Sequence, residues 1–297
     1  MKQRFSRSGE LDKYVKFYPS DKIPDIELLG YDDEGKAGLA LGLSSQKSDR
    51  CLVLLFGIPG CGKTKFPYHL CRKLNGISTT EKFSLLHIKC DPLSTSTRST
   101  GDIINVLGSG VRIAHQHLPT IIILDEFDSM TTAIADSGER ASELTRWLRD
   151  LVEESPSKVL LVGTTNNPQK IDFSIRRRIR ASLFFDVTPQ AVIAEIIKRS
   201  FGRTDAEDIR DDLYRGLGVN DFIPLASDVE WACEWLKTHH SDLGTIPREE
   251  LSKRLVALTP GLESETIEQY RQTNANLINR SSGQMEYWIE ELARLGL

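Results

Sequence analysis

The chain has 297 residues, 39% of them apolar and 27% charged, with a formal charge of -4; that composition is ordinary for a globular protein and leaves room for two cores. The slight acidic excess provides no broad electrostatic footprint for nucleic acid or an anionic membrane surface, and no apolar run approaches the roughly 20 residues that cross a bilayer. Five scattered cysteines, none in a Cys-x-x-Cys pair, fit reduced thiols better than a disulfide framework or a zinc site. The N-terminal stretch "MKQRFSRSGELDKYVKF" lacks the apolar centre of a secretion signal, so the expected location is cytoplasmic.

Residues 1–48 are polar, with Pro19, Pro24 and a glycine-rich "GKAGLALGLSSQKSDR", and read as a short arm and linker. Cys51 to Phe56 is a short apolar run, the mark of a strand buried on both faces. Pro67 to Leu74 reads as a helix stopped by Asn75 and Gly76. "SLLHIKC" is a second strand, and Gly101 to Leu118 a helix with apolar residues at Ile103, Ile104, Leu107, Val111 and Ala114. "TIIILDEF" is the third strand, and Leu144, Trp147, Leu148, Leu151 and Val152 mark an amphipathic helix over 142–152. "KVLLVGTTN" and "SLFFDV" are the fourth and fifth. Strands separated by helices predict a five-stranded parallel sheet flanked by helices over 49–189, with its ligand at the strands' C-terminal ends. From 190 to 297 only helices are legible, forming a second, all-helical domain; Trp231 and Trp235, four apart, read as core-facing.

The end of the first strand carries the clearest chemistry. From Gly57 the spacing is Gly, four residues, Gly, Lys, Thr, the loop that wraps a nucleotide's phosphates. Glycine is needed there because successive backbone N–H groups must all point inward. Lys63 adds a compact positive charge, Thr64 offers a hydroxyl to magnesium, and the next helix presents its positive end. Cys61, inside the loop, reads as a small filler residue. The third strand delivers Asp125 and Glu126 beside that loop: Asp125 would hold magnesium, and Glu126 would act as general base on water. A helix-capping role is the alternative for this acidic pair. Asn166, at the end of the fourth strand, can orient water or contact the terminal phosphate, or simply form a turn before Pro168. "IDFSIRRRIR" places four arginines in five positions, and by itself would read as a solvated basic face or a nucleic-acid contact. His115 and His117, two apart, fall on different helix faces and do not suit a metal.

The segments "GIPGCGKT", "GDIINVLGSGVRIAHQHLPTIIILDEFDSM" and "LLVGTTNNPQKID", with the arginines before "DVTP", resemble the AAA family of P-loop ATPases, which includes membrane-protein-extracting, microtubule-severing and proteasomal motors. The resemblance covers about residues 48 to 190, and "LVALTPGLESETIEQ" resembles the family's helical lid. It implies ATP and Mg²⁺ as cofactors, bound between the subunits of a homo-oligomeric ring, usually a hexamer. By position, Gly57, Pro59, Gly60, Cys61, Gly62, Lys63, Thr64 and Lys65 form the nucleotide-binding stretch, Thr64 and Asp125 the metal ligands, and Glu126 and Asn166 the base and sensor. Arg177 matches the arginine finger, Arg178 under another alignment, and Arg180 a second finger. The chain departs from the family in two places. Ser99 and Thr100 stand where threading motors carry an aromatic residue, leaving Leu93 or Arg98 as substitutes, and the lid carries an apparent insertion around 201–247.

Three functions stay open on this evidence: an ATP-driven remodeller of an unidentified protein partner, an ATP-controlled switch that gates a partner without translocation, and a nucleic-acid-bound ATPase, which the acidic balance disfavours. No membrane insertion is expected. Tyr14, Phe17 and Tyr18 of the arm could touch a partner or lie over their own core.

Overall fold

The computed structural model describes residues 13–26, 28–47, 51–78, 81–131, 139–240, 243 and 245–296, with side chains from 142 onward in the segment that begins at 139. In chain order the main elements are β1 (Val15–Tyr18), α1 (Asp32–Ser45), β2 (Cys51–Gly57), α2 (Phe66–Ile77), β3 (Ser84–Lys89), α3 (Cys90–Ser94), α4 (Thr100–His115), β4 (Thr120–Asp125), α5 (Glu139–Glu154), β5 (Val159–Thr165), α6 (Phe173–Arg176) and β6 (Ile179–Phe185). They continue as α7 (Gln190–Phe201), α8 (Ala206–Gly218), β7 (Phe222–Ile223), α9 (Ala226–His239), α10 (Arg248–Leu258), β8 (Leu262–Glu263), α11 (Ser264–Thr273) and α12 (Ala275–Arg294).

Six strands form one sheet in the order β1-β3-β4-β5-β2-β6. The pairs β3–β4, β4–β5 and β2–β5 run parallel, and β2 and β5 are buried along their whole length. This burial on both faces is why their sequences open as near-continuous Val and Leu rather than alternating. The parallel pairings bring the C-terminal ends of β2, β4 and β5 to one edge, at the point where the strand order reverses.

The sheet has one more strand than the sequence predicts. β1, inside the segment read as an arm, pairs antiparallel with β3, setting Val15 opposite Ile88 and Tyr18 opposite Leu85. Four residues on a sheet edge, only one of them fully buried, leave too little alternation to read. The rest of that segment is also structured. α1 packs on α2 through its glycines: a Cβ at Gly38 would lie 2.8 Å from the Phe66 ring, and one at Gly42 would lie 2.6 Å from a Leu74 methyl. Tyr14 and Phe17 lie against the core, so the aromatics of this segment cover their own sheet.

By contact density the chain falls into two compact units. The first takes in the described parts of 1–57, 63–184 and 277–297, and the second 58–62 and 185–276. In the first, Ser281 Oγ of α12 donates to the Ser182 carbonyl at 2.9 Å and Gln284 Oε1 accepts from the Ser182 N–H at 3.0 Å. The last helix, read from sequence as part of a helical domain, thus belongs with the sheet.

The second unit is built on α7 to α10, with Ile193, Ile197, Ile209, Leu213, Val229, Leu236, Leu251 and Leu255 in its core. Residues 201–247, which read as an insertion, supply α8 and α9 and hence much of this core. The unit is not wholly helical, because β7 and β8 pair antiparallel. Trp231 and Trp235 correct another expectation: they are 53% and 36% exposed. α9 instead buries Val229, Ala232, Cys233 and Leu236, whose spacing has the same helical period with smaller side chains that let the helix approach its neighbours closely.

One glycine ties the sheet to the residues after β4. A Cβ at Gly163 in β5 would lie 2.6 Å from the Phe127 ring, which is 1% exposed and follows Glu126. Gly163→Ala should therefore cost about 1–3 kcal/mol through overpacking, read as a lowered midpoint in thermal unfolding followed by circular dichroism. An unchanged midpoint would show that Phe127 has room to move.

Candidate functional site

Within the first unit, the ends of β2, β4 and β5 bring Gly57, Lys63, Thr64, Asp125, Glu126 and Asn166 to one edge of the sheet. Lys63 is 7% exposed, and its ammonium donates to the Gly57 carbonyl at 3.0 Å. That contact ties the lysine to the end of β2. In the intervening stretch Pro59 is exposed, Cys61 is buried and Lys65 precedes α2. Gly60 and Gly62 have φ of +74° and +88°, a region that L side chains rarely adopt. Residues 58–62 cluster with the second unit, where the Ser227 N–H donates to the Gly60 carbonyl at 3.3 Å.

Asp125 is the hub. Its Oδ1 accepts from the Thr64 hydroxyl at 2.8 Å and the Thr164 hydroxyl at 2.6 Å, and its Oδ2 lies 3.2 Å from His87 Nε2. Burial by itself would raise its pKa, but the hydrogen bonds from His87, Thr164 and Thr64 outweigh it and hold the carboxyl below the ordinary range. The neighbouring acid is pushed the other way. Partial burial, then the charges of Asp125, Asp91 and Asp128, raise the Glu126 pKa against a smaller lowering by Lys89. Two adjacent carboxyls driven apart in proton affinity are suited to different roles, one as a permanent anion and one as a proton acceptor.

Glu126 sits at φ 54° and ψ 44°, a left-handed conformation costing about 1–3 kcal/mol for a residue with a side chain. Its N–H donates to Thr164 Oγ1 at 3.0 Å, so a single threonine holds both acids. Asn166 is half-buried directly after β5, and the next residue's N–H donates to Thr165 Oγ1 at 2.8 Å.

The arginines separate clearly. Arg176 donates to the carbonyls of Ile171 at 2.6 Å and Gln169 at 2.7 Å, and Arg178 is paired with Glu153 and the Ser174 carbonyl. Arg180 donates to Ser44 Oγ at 2.9 Å and lies over the Trp288 ring at 5.2 Å. Arg177 is exposed, and its side chain makes no hydrogen bond or ion pair with the described residues. The structure thus occupies Arg180, expected as a second finger, inside its own chain and leaves Arg177 turned outward. Leu93 is fully buried and Ser99 caps α4. His117 faces the Phe17 ring at 5.0 Å, and no cluster of three metal-ligating side chains occurs among the described residues.

The oxygen donors of Thr64 and Asp125, 2.8 Å apart beside a buried lysine, suit a hard cation such as Mg²⁺ bound with a phosphate. Thr164, His87 and Tyr68 (below) are the site residues that motif reading misses. The signal for Thr164 was two threonines ending an aliphatic strand, and for His87 a lone imidazole in the buried run of β3.

Residues 53–187 match the family model described as "ATPase family associated with various cellular activities". Those residues are similar to an AAA domain. The chain is 24% identical over 242 residues to Fidgetin-like protein 1 of Drosophila melanogaster, covering 75% of this chain and 44% of the relative. A probable spastin homologue of Brugia malayi is 28% identical over 160 residues, 51% of this chain and 33% of that protein. The peroxisomal ATPase PEX6 of Dictyostelium discoideum is 25% identical over 248 residues, 73% and 20%. The chain thus spans less than half the length of each of these relatives. In solved structures, the FIGL-1 AAA domain shares the fold with a TM-score of 0.67 at 19% identity, over 90% of this chain and 93% of that one. The same domain in complex with ADP gives a TM-score of 0.63 at 18% identity.

Proposed function

We propose that this chain is an AAA ATPase that binds ATP with Mg²⁺, hydrolyses it within a homo-oligomeric, hexameric ring, and couples hydrolysis to remodelling of a protein partner in the cytoplasm. The observation that carries the reading is the Thr64–Asp125 hydrogen bond of 2.8 Å, which joins the hydroxyl after the loop lysine to the carboxylate at the end of β4. Thr64 and Asp125 would hold the magnesium, which when bound neutralises charge on the phosphates. Lys63 would hold the terminal phosphates, for which its buried ammonium would exchange the Gly57 carbonyl. Glu126, with its raised proton affinity, would take the proton from the attacking water, and Asn166 would orient that water. Arg177 would act in a neighbour's site, since it is exposed and, unlike Arg176, Arg178 and Arg180, its side chain has no hydrogen-bonding partner among the described residues. Five buried free thiols support a reducing compartment. No helix among the described residues is long and apolar enough to cross a membrane.

The reading is tested by ATP turnover and by retention of ATP in a Lys63→Ala variant. Loss of both supports it, while a Lys63→Ala protein that binds and turns over ATP like wild type contradicts it.

A second reading, a switch that gates its partner without threading it, is favoured by the loop before α4. Leu93 is buried in the core, leaving a polar, hydroxyl-rich surface. Ser99 is engaged as the cap of α4, accepting from the Asp102 N–H at 3.1 Å, so its loss would cost about 1 kcal/mol of stability in any case. Arg98 and Thr100 therefore make the cleaner probe. Under the switch reading, alanine at both leaves partner-stimulated ATP turnover within about twofold of wild type, the range of an ordinary surface change. A loss of stimulation with basal turnover intact would favour threading.

A further inference from the structure

His87 lies in the strand beside Asp125. β3 and β4 pair in parallel with Lys89 opposite Asp125, which places the imidazole two residues back on the same face of the sheet. The residue is 6% exposed, and both ring nitrogens are used: Nε2 lies 3.2 Å from Asp125 Oδ2, and Nδ1 lies 2.7 Å from the Tyr68 hydroxyl. Tyr68 is 5% exposed and stands on the first turn of α2, four residues after Thr64. Its ring meets Tyr18 of β1 edge-on at 5.7 Å, so the strand at the sheet edge backs the arrangement.

With His87 in its Nε2–H tautomer, these contacts form one continuous chain from the Tyr68 hydroxyl to the Asp125 carboxylate. Burial raises the Tyr68 phenol well above its ordinary pKa, so the hydroxyl stays protonated and can donate to Nδ1. An imidazole that accepts at Nδ1 carries its proton on Nε2, and that proton points at Asp125 Oδ2. Of the three donors on the carboxylate, the nucleotide reading assigns Thr64 to the metal, leaving His87 and Thr164 to hold Asp125 in place.

We infer that Tyr68 and His87 form a positioning relay that fixes the orientation of the Asp125 carboxylate and thereby sets the chain's affinity for the Mg²⁺ that accompanies ATP. The inference rests on the Mg²⁺–ATP reading above. A ligating carboxylate keeps its geometry only if its remaining lone pairs are satisfied, and the loss of such outer partners lowers metal affinity or activity by 10–100-fold. Here the outer partner is itself held in one tautomer by a buried phenol.

The test is a titration of a fluorescently labelled ATP into wild type, His87→Phe, His87→Gln and Tyr68→Phe, each with Mg²⁺ and with EDTA. His87→Phe should raise the Mg²⁺ concentration for half-maximal nucleotide binding about 10-fold or more, as outer partners of metal ligands do, and leave affinity in EDTA near that of wild type. His87→Gln, whose amide can donate from nearly the same point as Nε2, should recover most of the Mg²⁺ dependence. Tyr68→Phe should fall between, since the imidazole remains but its tautomer is no longer fixed. A purely structural role would instead lower binding equally with and without Mg²⁺. That result, an unchanged Mg²⁺ requirement in His87→Phe, or no recovery in His87→Gln would overturn the inference while Mg²⁺–ATP binding by wild type stood. Failure of wild type to bind the labelled ATP at any Mg²⁺ concentration would overturn the nucleotide reading itself, and this inference with it.

Discussion

Replacing Glu126 with glutamine should leave ATP bound and lower its turnover by about 10²–10⁴-fold, the usual contribution of a general base. The amide keeps the shape of the side chain but cannot take a proton. The backbone that presents it, at φ 54° with its N–H on Thr164, is untouched by the change. The loss should therefore appear in the rate of hydrolysis and not in the amount of nucleotide retained, which equilibrium binding and single-turnover hydrolysis separate. The trapped variant should also hold its protein partner in a pull-down with ATP. If Glu126→Gln hydrolyses ATP at the wild-type rate, another group is the base. If it loses ATP, the residue serves binding instead.

Arg177→Ala should lower turnover by about 10³-fold or more while ATP binding by each subunit persists, because an arginine finger contributes 10³–10⁵-fold to the rate. A factor of 10³ corresponds to about 4 kcal/mol of barrier. The reason for choosing Arg177 is geometric: Arg176, Arg178 and Arg180 are bound to their own chain through Ile171, Glu153 and Ser44. Their alanine variants should act mainly through stability, lowering the unfolding midpoint more than the rate per folded subunit. Wild-type turnover per subunit should rise with protein concentration, and added Arg177→Ala subunits should depress it. A rate per subunit that stays flat on dilution to monomer would place the whole reaction inside one chain.

The parts of this fold that the sequence made legible are those that carry their own local signal. Four buried strands stand out as aliphatic runs, and the glycine spacing before Lys63 reports a backbone requirement that few other sequences meet. Asp125 and Glu126 are legible for the same reason, because they interrupt an aliphatic strand at its end. What stayed hidden depends on neighbours. β1 is four residues long and acquires meaning only by pairing with β3. α1 packs through Gly38 and Gly42, where close approach removes the large apolar residues that periodicity detects. Trp231 and Trp235 share a helical period with the smaller residues that in fact face the core. His87 and Tyr68 look like ordinary core residues until the β3–β4 register places one beside Asp125 and α2 places the other behind it.

The central claim is that a site built on Asp125 and Glu126 of one subunit is completed by Arg177 of another. Mixing Glu126→Gln with Arg177→Ala tests it most directly, since each is nearly inactive alone. A Glu126→Gln subunit still offers the arginine, and an Arg177→Ala subunit still offers the base. Random assembly in a ring with head-to-tail interfaces should make about a quarter of the sites complete, so turnover should reappear on mixing and peak near equal proportions. If no mixture exceeds the two variants assayed separately, the arginine does not work across subunits and the account fails.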